Sequence, residues 1–287
     1  MLQDLAYGRL ENEFHNWSPR PEDTVVCVGA EGILVRRNAD DTLNLPNFAQ
    51  VQTWKDDSWS SWTEQKFCYI FRLQEQNYFL WLGQAGACPE AAYQYESPRQ
   101  LRQLQSKDMC FAAMTAWHLY NWYRVNRFCG CCGSKTVHDE KERMLRCPEC
   151  GNMIFPRISP AVIIAITDGD RLLLSKYAGR SYTRYALIAG YTEIGETLEQ
   201  TVKREVMEEV GLEVTNIRYY KSQPWGVDGN VLMGFYCDLQ GDDTVRLDTT
   251  ELAMADWYPR NALPAHDDGI SLTREMIRVF EEGREPR

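Results

Sequence analysis

The chain has 287 residues, 44% hydrophobic and 25% charged, a globular balance that excludes a largely disordered polymer. At about 150 residues per domain, this length calls for two domains rather than one. With 41 acids against 31 bases the net charge is −10, which argues against indiscriminate binding to nucleic acid or anionic membrane. The opening MLQDLAYGRLENEFHNW carries acids early and has no apolar core of signal-peptide length. The longest uncharged apolar run, Ile158 to Thr167, is too short to span a bilayer. These features predict a soluble, cytoplasmic protein.

In chain order, Val25 to Arg37, Phe67 to Leu73 and Asn77 to Gly83 read as strands, rich in aromatic and β-branched residues and bounded by Gly, Asn and Asp. No catalytic grouping occurs there, so a scaffold or subunit-contact role is expected. Trp54, Trp59 and Trp62 read as packing residues. From Pro98 the pattern turns helical: Leu101, Leu104, Met109, Ala112, Ala113, Ala116, Tyr120 and Tyr123 recur mostly at three- and four-residue steps. A helix of that length is expected to bridge two modules. His15, His118, His138 and His266 are isolated and receive no role.

Next come FCGCCG, Phe128 to Gly133, and RCPECG, Arg146 to Gly151. Cys129 with Cys132 and Cys147 with Cys150 form two CxxC knuckles. At this spacing the pattern is that of a four-thiolate zinc site, one Zn²⁺ per subunit, because each tight turn offers two sulfurs to a tetrahedral ion. Four thiolates leave no position for water, so the site is structural. Cys131 reads as a spectator thiol. The bland alternative for the cluster is a redox CxxC pair.

The stretch GYTEIGETLEQTVKREVMEEVGL, Gly190 to Leu212, predicts a helix. Thr197 and Gln200 fit a capping box, and Gly211 falls where the helix should stop. Val202, Val206 and Val210 form a buried stripe. Glu205, Glu208 and Glu209, at i, i+3 and i+4, share a face. Three like charges in adjacent turns call for a cation, and hard oxygen ligands select Mg²⁺ or Mn²⁺.

Here the residues resemble a known family. Gly190, Glu196, Arg204, Glu205, Val206, Glu208, Glu209, Gly211 and Leu212 fit the Nudix box without departure. The resemblance implies hydrolysis of a nucleoside diphosphate linked to another group. Glu205, Glu208 and Glu209 would act in catalysis and, with the Ala189 carbonyl, hold the metal, while Glu196 and Arg204 pair to fix the loop on the helix. The implied fold is α/β: a Nudix α/β/α sandwich with a mixed sheet, preceded by a zinc ribbon and a β-rich N-terminal domain. The expected divisions are 1–97 for the β-rich domain, 98–126 for a helical connector, 127–157 for the ribbon and 158–287 for the Nudix domain.

Ribbon and box in this order resemble the bacterial NADH pyrophosphatase (NAD⁺ diphosphatase) family from about Arg127 onward; before that the likeness is architectural. Ser222-Gln223-Pro224-Trp225 matches the start of that family's SQPWPFPxS signature, with Asn230 at its end. Glu251 matches a late metal-binding glutamate. Ser271-Leu272-Thr273-Arg274 resembles the stretch lying against the nicotinamide, and Phe155 and Tyr191 match aromatics that sandwich its ring, Phe155 from the partner subunit. The resemblance thus implies cleavage of NADH or NAD⁺ to a nicotinamide mononucleotide and AMP by a homodimer, with substrate contacts at Phe155, Tyr191, Gln223, Pro224, Trp225, Asn230 and Thr273. Removal of the nicotinamide cap from RNA is related chemistry, to which the acidic total lends no support.

The sequence also departs from that pattern. Gly226-Val227-Asp228-Gly229-Asn230 stands where the family has Pro-Phe-Pro-x-Ser, so an aromatic and two prolines are gone and a negative charge has entered. The glycines predict a more mobile loop. Met254 replaces a second late glutamate, and Thr273 an alanine. Three alternatives stay open: a Nudix hydrolase of ADP-ribose or a dinucleoside polyphosphate, a nucleotide sensor that does not cleave, and plain packing roles for Trp225, Phe155 and Tyr191.

Overall fold

The computed structural model describes every residue except 6–9, 41, 55–58, 64–65, 89, 102–106, 180–182, 265–268 and 287. Leu104 and His266 therefore lie outside the described residues. The chain divides into two units, one of Leu2–Arg157 with Gly226–Gly229, the other of Met1, Ile158–Trp225 and Asn230–Arg287. Among the described residues no helix is long and apolar enough to cross a membrane.

In the first unit the strands are β1 (Leu10–Glu11), β2 (Thr24–Val26), β3 (Ile33–Arg37), β4 (Leu43–Asn44), β5 (Ser60–Ser61), β6 (Phe67–Leu73), β7 (Gln76–Trp81), β8 (Gly83–Gln84) and β9 (Tyr93–Glu96), with helix α1 at Phe48–Trp54. They form sheets ordered β1-β6-β7-β2, β4-β3-β9 and β5-β8. The run from Val25 to Arg37 holds two short strands with a turn at Gly29 to Gly32 between them; Gly32 has φ 142° and no room for a side chain against the Glu96 carbonyl. Helices α2 (Pro98–Leu101) and α3 (Lys107–Val125) follow. Ala112, Ala113, Ala116, Tyr120, Trp122 and Tyr123 of α3 pack with Ile33, Ile70 and Leu80, so this helix is part of the unit's own core. The short alanines let it lie close on the sheet. Trp54 and Trp59 are buried in a second cluster, and Trp62 stacks obliquely on Tyr120 at 5.2 Å. Strands β10 (Val137–His138), β11 (Leu145–Arg146) and β12 (Met153–Ile154) make the ribbon's small antiparallel sheet.

The second unit holds β13 (Ser159–Asp168), β14 (Arg171–Tyr177), β15 (Ile188–Tyr191), α4 (Leu198–Val210), β16 (Glu213–Trp225), β17 (Asn230–Gln240), β18 (Leu252–Pro259) and α5 (Leu272–Glu281). Its sheet runs β16-β17-β13-β14-β18, with β15 on β13. β13 and β17 are parallel and the other pairs antiparallel, which makes the sheet mixed. The uncharged run of β13 is buried on both faces and its side chains alternate. Val162, Ile164 and Ile166 meet Val202, Val206 and Val210 of α4, while Ile163 and Ala165 meet Leu272, Met276 and Phe280 of α5. One helix on each face gives the α/β/α sandwich. Each fully buried valine of the α4 stripe contributes roughly 1.5–3 kcal/mol.

Candidate active site

Helix α4 begins with the capping box: the Thr197 hydroxyl accepts from the Gln200 N–H, and the Gln200 side chain accepts from the Thr197 N–H at 2.7 Å. It ends on Gly211, whose φ of 66° is left-handed. The capped helix fixes its acidic face relative to the preceding loop. That face is graded: Glu209 is 3% exposed, Glu205 is partly buried, and the side chain of Glu208 is 59% exposed. Burial raises the Glu205 carboxyl above its ordinary range; the Arg204 guanidinium opposes this, and the Glu208 and Glu251 charges add to it.

Arg204 is the hub of this surface. Its Nε and Nη2 donate to the two oxygens of Glu196 at 2.6 and 3.0 Å. Nη1 donates to Glu205 at 2.7 Å and to Glu208 at 2.9 Å, and Nη2 also reaches the Tyr191 carbonyl at 2.9 Å. The Glu196 carboxylate further accepts from the Thr201 hydroxyl at 2.9 Å and the Glu193 N–H at 3.1 Å. With Arg204 as the main cause, its pKa is held down to about 2. In this arrangement the guanidinium supplies the positive charge between Glu205 and Glu208.

Opposite α4, Gly190 faces Glu205 so closely that a Cβ there would run into the carboxylate at under 3.0 Å. A side chain at this position would push Glu205 away. Ala189, half-buried beside it on β15, pairs with Ile163. Glu251 is exposed just before β18. These candidate ligands are all oxygen, the kind suited to a hard divalent cation, whereas the cluster of four ligand atoms within 4.8 Å of one another among the described residues is that of the cysteines.

The other face of the sheet collects most of the remaining candidates. Tyr191 pairs with Ala161, which pairs with Leu232, itself opposite Gln223. Two residues back on β13, Ser159 pairs with Asn230, which pairs with Trp225. Cross-strand partners share a face, so Tyr191, Gln223, Trp225 and Asn230 all lie on the α5 side, while Pro224 takes the opposite one. Gln223 is fully buried: its Nε2 donates to the Ile270 carbonyl at 2.8 Å and its Oε1 accepts from the Leu272 N–H at 2.8 Å. It thereby ties β16 to the start of α5, where Ser271 caps and Thr273 follows. Tyr191 is 53% exposed and donates its hydroxyl to Asn230 Oδ1 at 3.2 Å. Phe155, in the other unit, is also 53% exposed; neither ring is a core residue.

The Gly226–Gly229 loop is closely packed. Gly226 lies so near the Met114 carbonyl that no side chain would fit, Gly229 sits against His118, and Asp228 pairs with Arg99. The charge that enters the loop thus meets a cation.

In the ribbon, the four sulfurs of Cys129, Cys132, Cys147 and Cys150 lie within 4.8 Å of one another, with pairs at 3.4 and 3.6 Å. A tetrahedral ion with Zn–S bonds of about 2.3 Å requires edges of about 3.8 Å, which this cluster meets. The N–H groups of Cys131 and Cys132 hold the Cys129 thiol down to about 6. Left-handed Gly133 and Gly151, φ 77° and 74°, close the two knuckles. This is a four-cysteine zinc site.

Residues 157–280 match the NUDIX domain family, and residues 124–155 match the NADH pyrophosphatase zinc ribbon domain. The chain is 36% identical over 179 residues to the NAD-capped RNA hydrolase NudC of Pectobacterium atrosepticum, covering 62% of this chain and 68% of that protein. It is 38% identical over 159 residues to the NudC of Pseudomonas aeruginosa, covering 55% and 57%. The chain belongs to the Nudix hydrolases of the NADH pyrophosphatase type. A Nudix hydrolase structure from Nitrosomonas europaea aligns at 25% identity over 54% of this chain and 91% of that one, with a TM-score of 0.47.

In this Nudix hydrolase three contacts escaped the sequence. Thr201 is buried and steadies Glu196, Arg204 reaches the Tyr191 carbonyl, and Asn230 takes the Tyr191 hydroxyl. Only Thr201 had a local signal, standing one turn after the cap.

Proposed function

We propose that the protein hydrolyses the diphosphate of NADH or NAD⁺ to a nicotinamide mononucleotide and AMP. The observation that supports this best is at β15, where Gly190 lies against the Glu205 carboxylate of α4 and the next residue, Tyr191, presents a half-exposed ring whose hydroxyl is held by Asn230. Glu205, Glu208, Glu209, Glu251 and the Ala189 carbonyl would hold Mg²⁺ or Mn²⁺. Such an ion, when bound, neutralises diphosphate oxygens and lowers the pKa of water.

The chain's own groups do the rest. Arg204 and Glu196 keep the loop on α4, so that Gly190 and Tyr191 hold fixed positions beside the acidic face. Tyr191 offers a flat, half-exposed ring for stacking, worth about 1–3 kcal/mol per base. A homodimer belongs to this reading, with the partner subunit's Phe155 completing the ring site; sedimentation giving a monomer at assay concentration would count against it. The reading places the protein in the cytoplasm, where a reducing pool keeps four-thiolate sites intact. It extends to NAD-capped RNA, the substrate named for the NudC relatives.

One observation favours a second reading. The loop after Trp225 lacks the family's aromatic and prolines and carries Asp228, so specificity could have moved to ADP-ribose. The deciding experiment is chromatography of products from NADH, NAD⁺ and ADP-ribose with Mg²⁺ or Mn²⁺. Preferred conversion of NADH to AMP and reduced nicotinamide mononucleotide supports the first reading; cleavage of ADP-ribose with NADH untouched supports the second.

A further inference from the structure

A tyrosine that is half exposed normally has its hydroxyl in water. Tyr191 instead donates it to Asn230, a buried side chain at the first position of β17, and its backbone carbonyl accepts from Arg204. The residue is therefore held at its hydroxyl and at its backbone carbonyl while a face of the ring stays open. Two strands, β15 and β17, flank β13, and the side chain of Tyr191 bridges them over the Ser159–Ala161 segment on the α5 side. Asn230 is itself held by its pairings with Ser159 and Trp225.

We infer that Asn230 is a positioning residue: it fixes the plane of the Tyr191 ring so that a planar heteroaromatic group of the substrate can stack on it. The inference rests on the dinucleotide reading above, in which that group is the nicotinamide. A ring locked before binding loses less rotamer freedom on stacking, so the contact is converted into affinity rather than into ordering. A serine, the family's residue at this position, carries its oxygen one bond nearer the backbone and would fall short of the hydroxyl. The asparagine thus provides a lock that serine would not, beside a loop that has lost its prolines.

The test is a cycle of Asn230→Ala, Tyr191→Phe and the double variant, with KM and kcat measured for NADH and for ADP-ribose, which has no nicotinamide. Loss of one hydrogen bond corresponds to about a three- to tenfold change. Each single variant should raise KM for NADH by that factor, with a smaller change for ADP-ribose. The double variant should be no worse than either single one, because both remove the same bond. Asn230→Asp, which keeps an acceptor in place, should restore most of the NADH affinity. Additive effects in the double variant, or equal losses on both substrates, would overturn the inference. Wild-type protein that leaves NADH intact but cleaves ADP-ribose would sink the dinucleotide reading, and this inference with it.

Discussion

Arg204 grips Glu196 through two parallel hydrogen bonds, Nε to Oε1 at 2.6 Å and Nη2 to Oε2 at 3.0 Å. A guanidinium is shaped for this fork and an ammonium is not. Arg204→Lys should therefore lower turnover on every substrate by roughly tenfold or more, since a lysine cannot serve Glu196, Glu205 and the Tyr191 carbonyl together. Steady-state kinetics on two unrelated substrates would check this; a loss confined to one substrate would contradict it.

The same pair carries a pH dependence. Glu196 titrates lower in the folded protein than in the unfolded chain, about 2 against 4.5. Its contribution is thus fully present above about 4.5 and is lost as pH falls from there toward about 2. In Glu196→Gln, the acid side of a thermal-melting profile should be flatter than in wild type over that window. An unchanged slope would mean the pair adds nothing to stability.

Glu209 is buried at the inner edge of the acidic face. Glu209→Gln keeps its shape and removes its charge, so turnover should drop by orders of magnitude while the melting temperature holds or rises. Near-normal activity in this variant would refute the role given to the acidic face.

Gly190 leaves no space for a methyl group beside the Glu205 carboxylate. Because the obstructing atoms are the end of a flexible side chain, Gly190→Ala should fold but displace Glu205. The expected result is a loss of kcat of up to about a hundredfold with a near-native melting curve. A full-strength Gly190→Ala enzyme would show that Glu205 has no fixed place in the reaction.

The zinc site should hold one ion per chain by elemental analysis. Cys147→Ser should lose the ion and lower the melting temperature of the unit around α3, whereas Cys131→Ser should keep both. Zinc in structural sites contributes roughly 10 kcal/mol or more to folding. Retained zinc in the Cys147 variant would rule out a four-cysteine site.

What was legible in the sequence is what sits close along the chain. The cysteine pairs, the capping box at Thr197 and Gln200, the valine stripe and Gly211 all declare themselves within a few turns or one tight loop. The α5 side of the sheet, where the candidate ring contacts gather, was not legible as a face. Gln223 meets Ile270 and Leu272 some 47 and 49 positions away, and Tyr191 meets Asn230 across 39. These contacts follow from the β16–β17 register and the parallel β13–β17 pairing, which no local pattern encodes. The reasons for the two glycines of the 226–229 loop were also not legible: at Gly226 the Met114 carbonyl of α3 leaves no room for a side chain, and Gly229 takes a left-handed φ of 73°. The burial of Glu209 also lay beyond the i, i+3, i+4 spacing that grouped it with Glu205 and Glu208.

Gly190 and Tyr191 are consecutive on β15 and so point to opposite sides of the sheet. On the proposed function, neighbouring positions of one short strand divide the work: Gly190 leaves the Glu205 carboxylate its place, and Tyr191 meets the ring of the substrate. Mutational drift on the α5 side can then retune the preferred dinucleotide while the hydrolytic side stays untouched. A one-residue slip of β15 against β13 would exchange the two, turning Tyr191 toward α4 and the glycine toward α5, so the register of this short pairing matters more than its length.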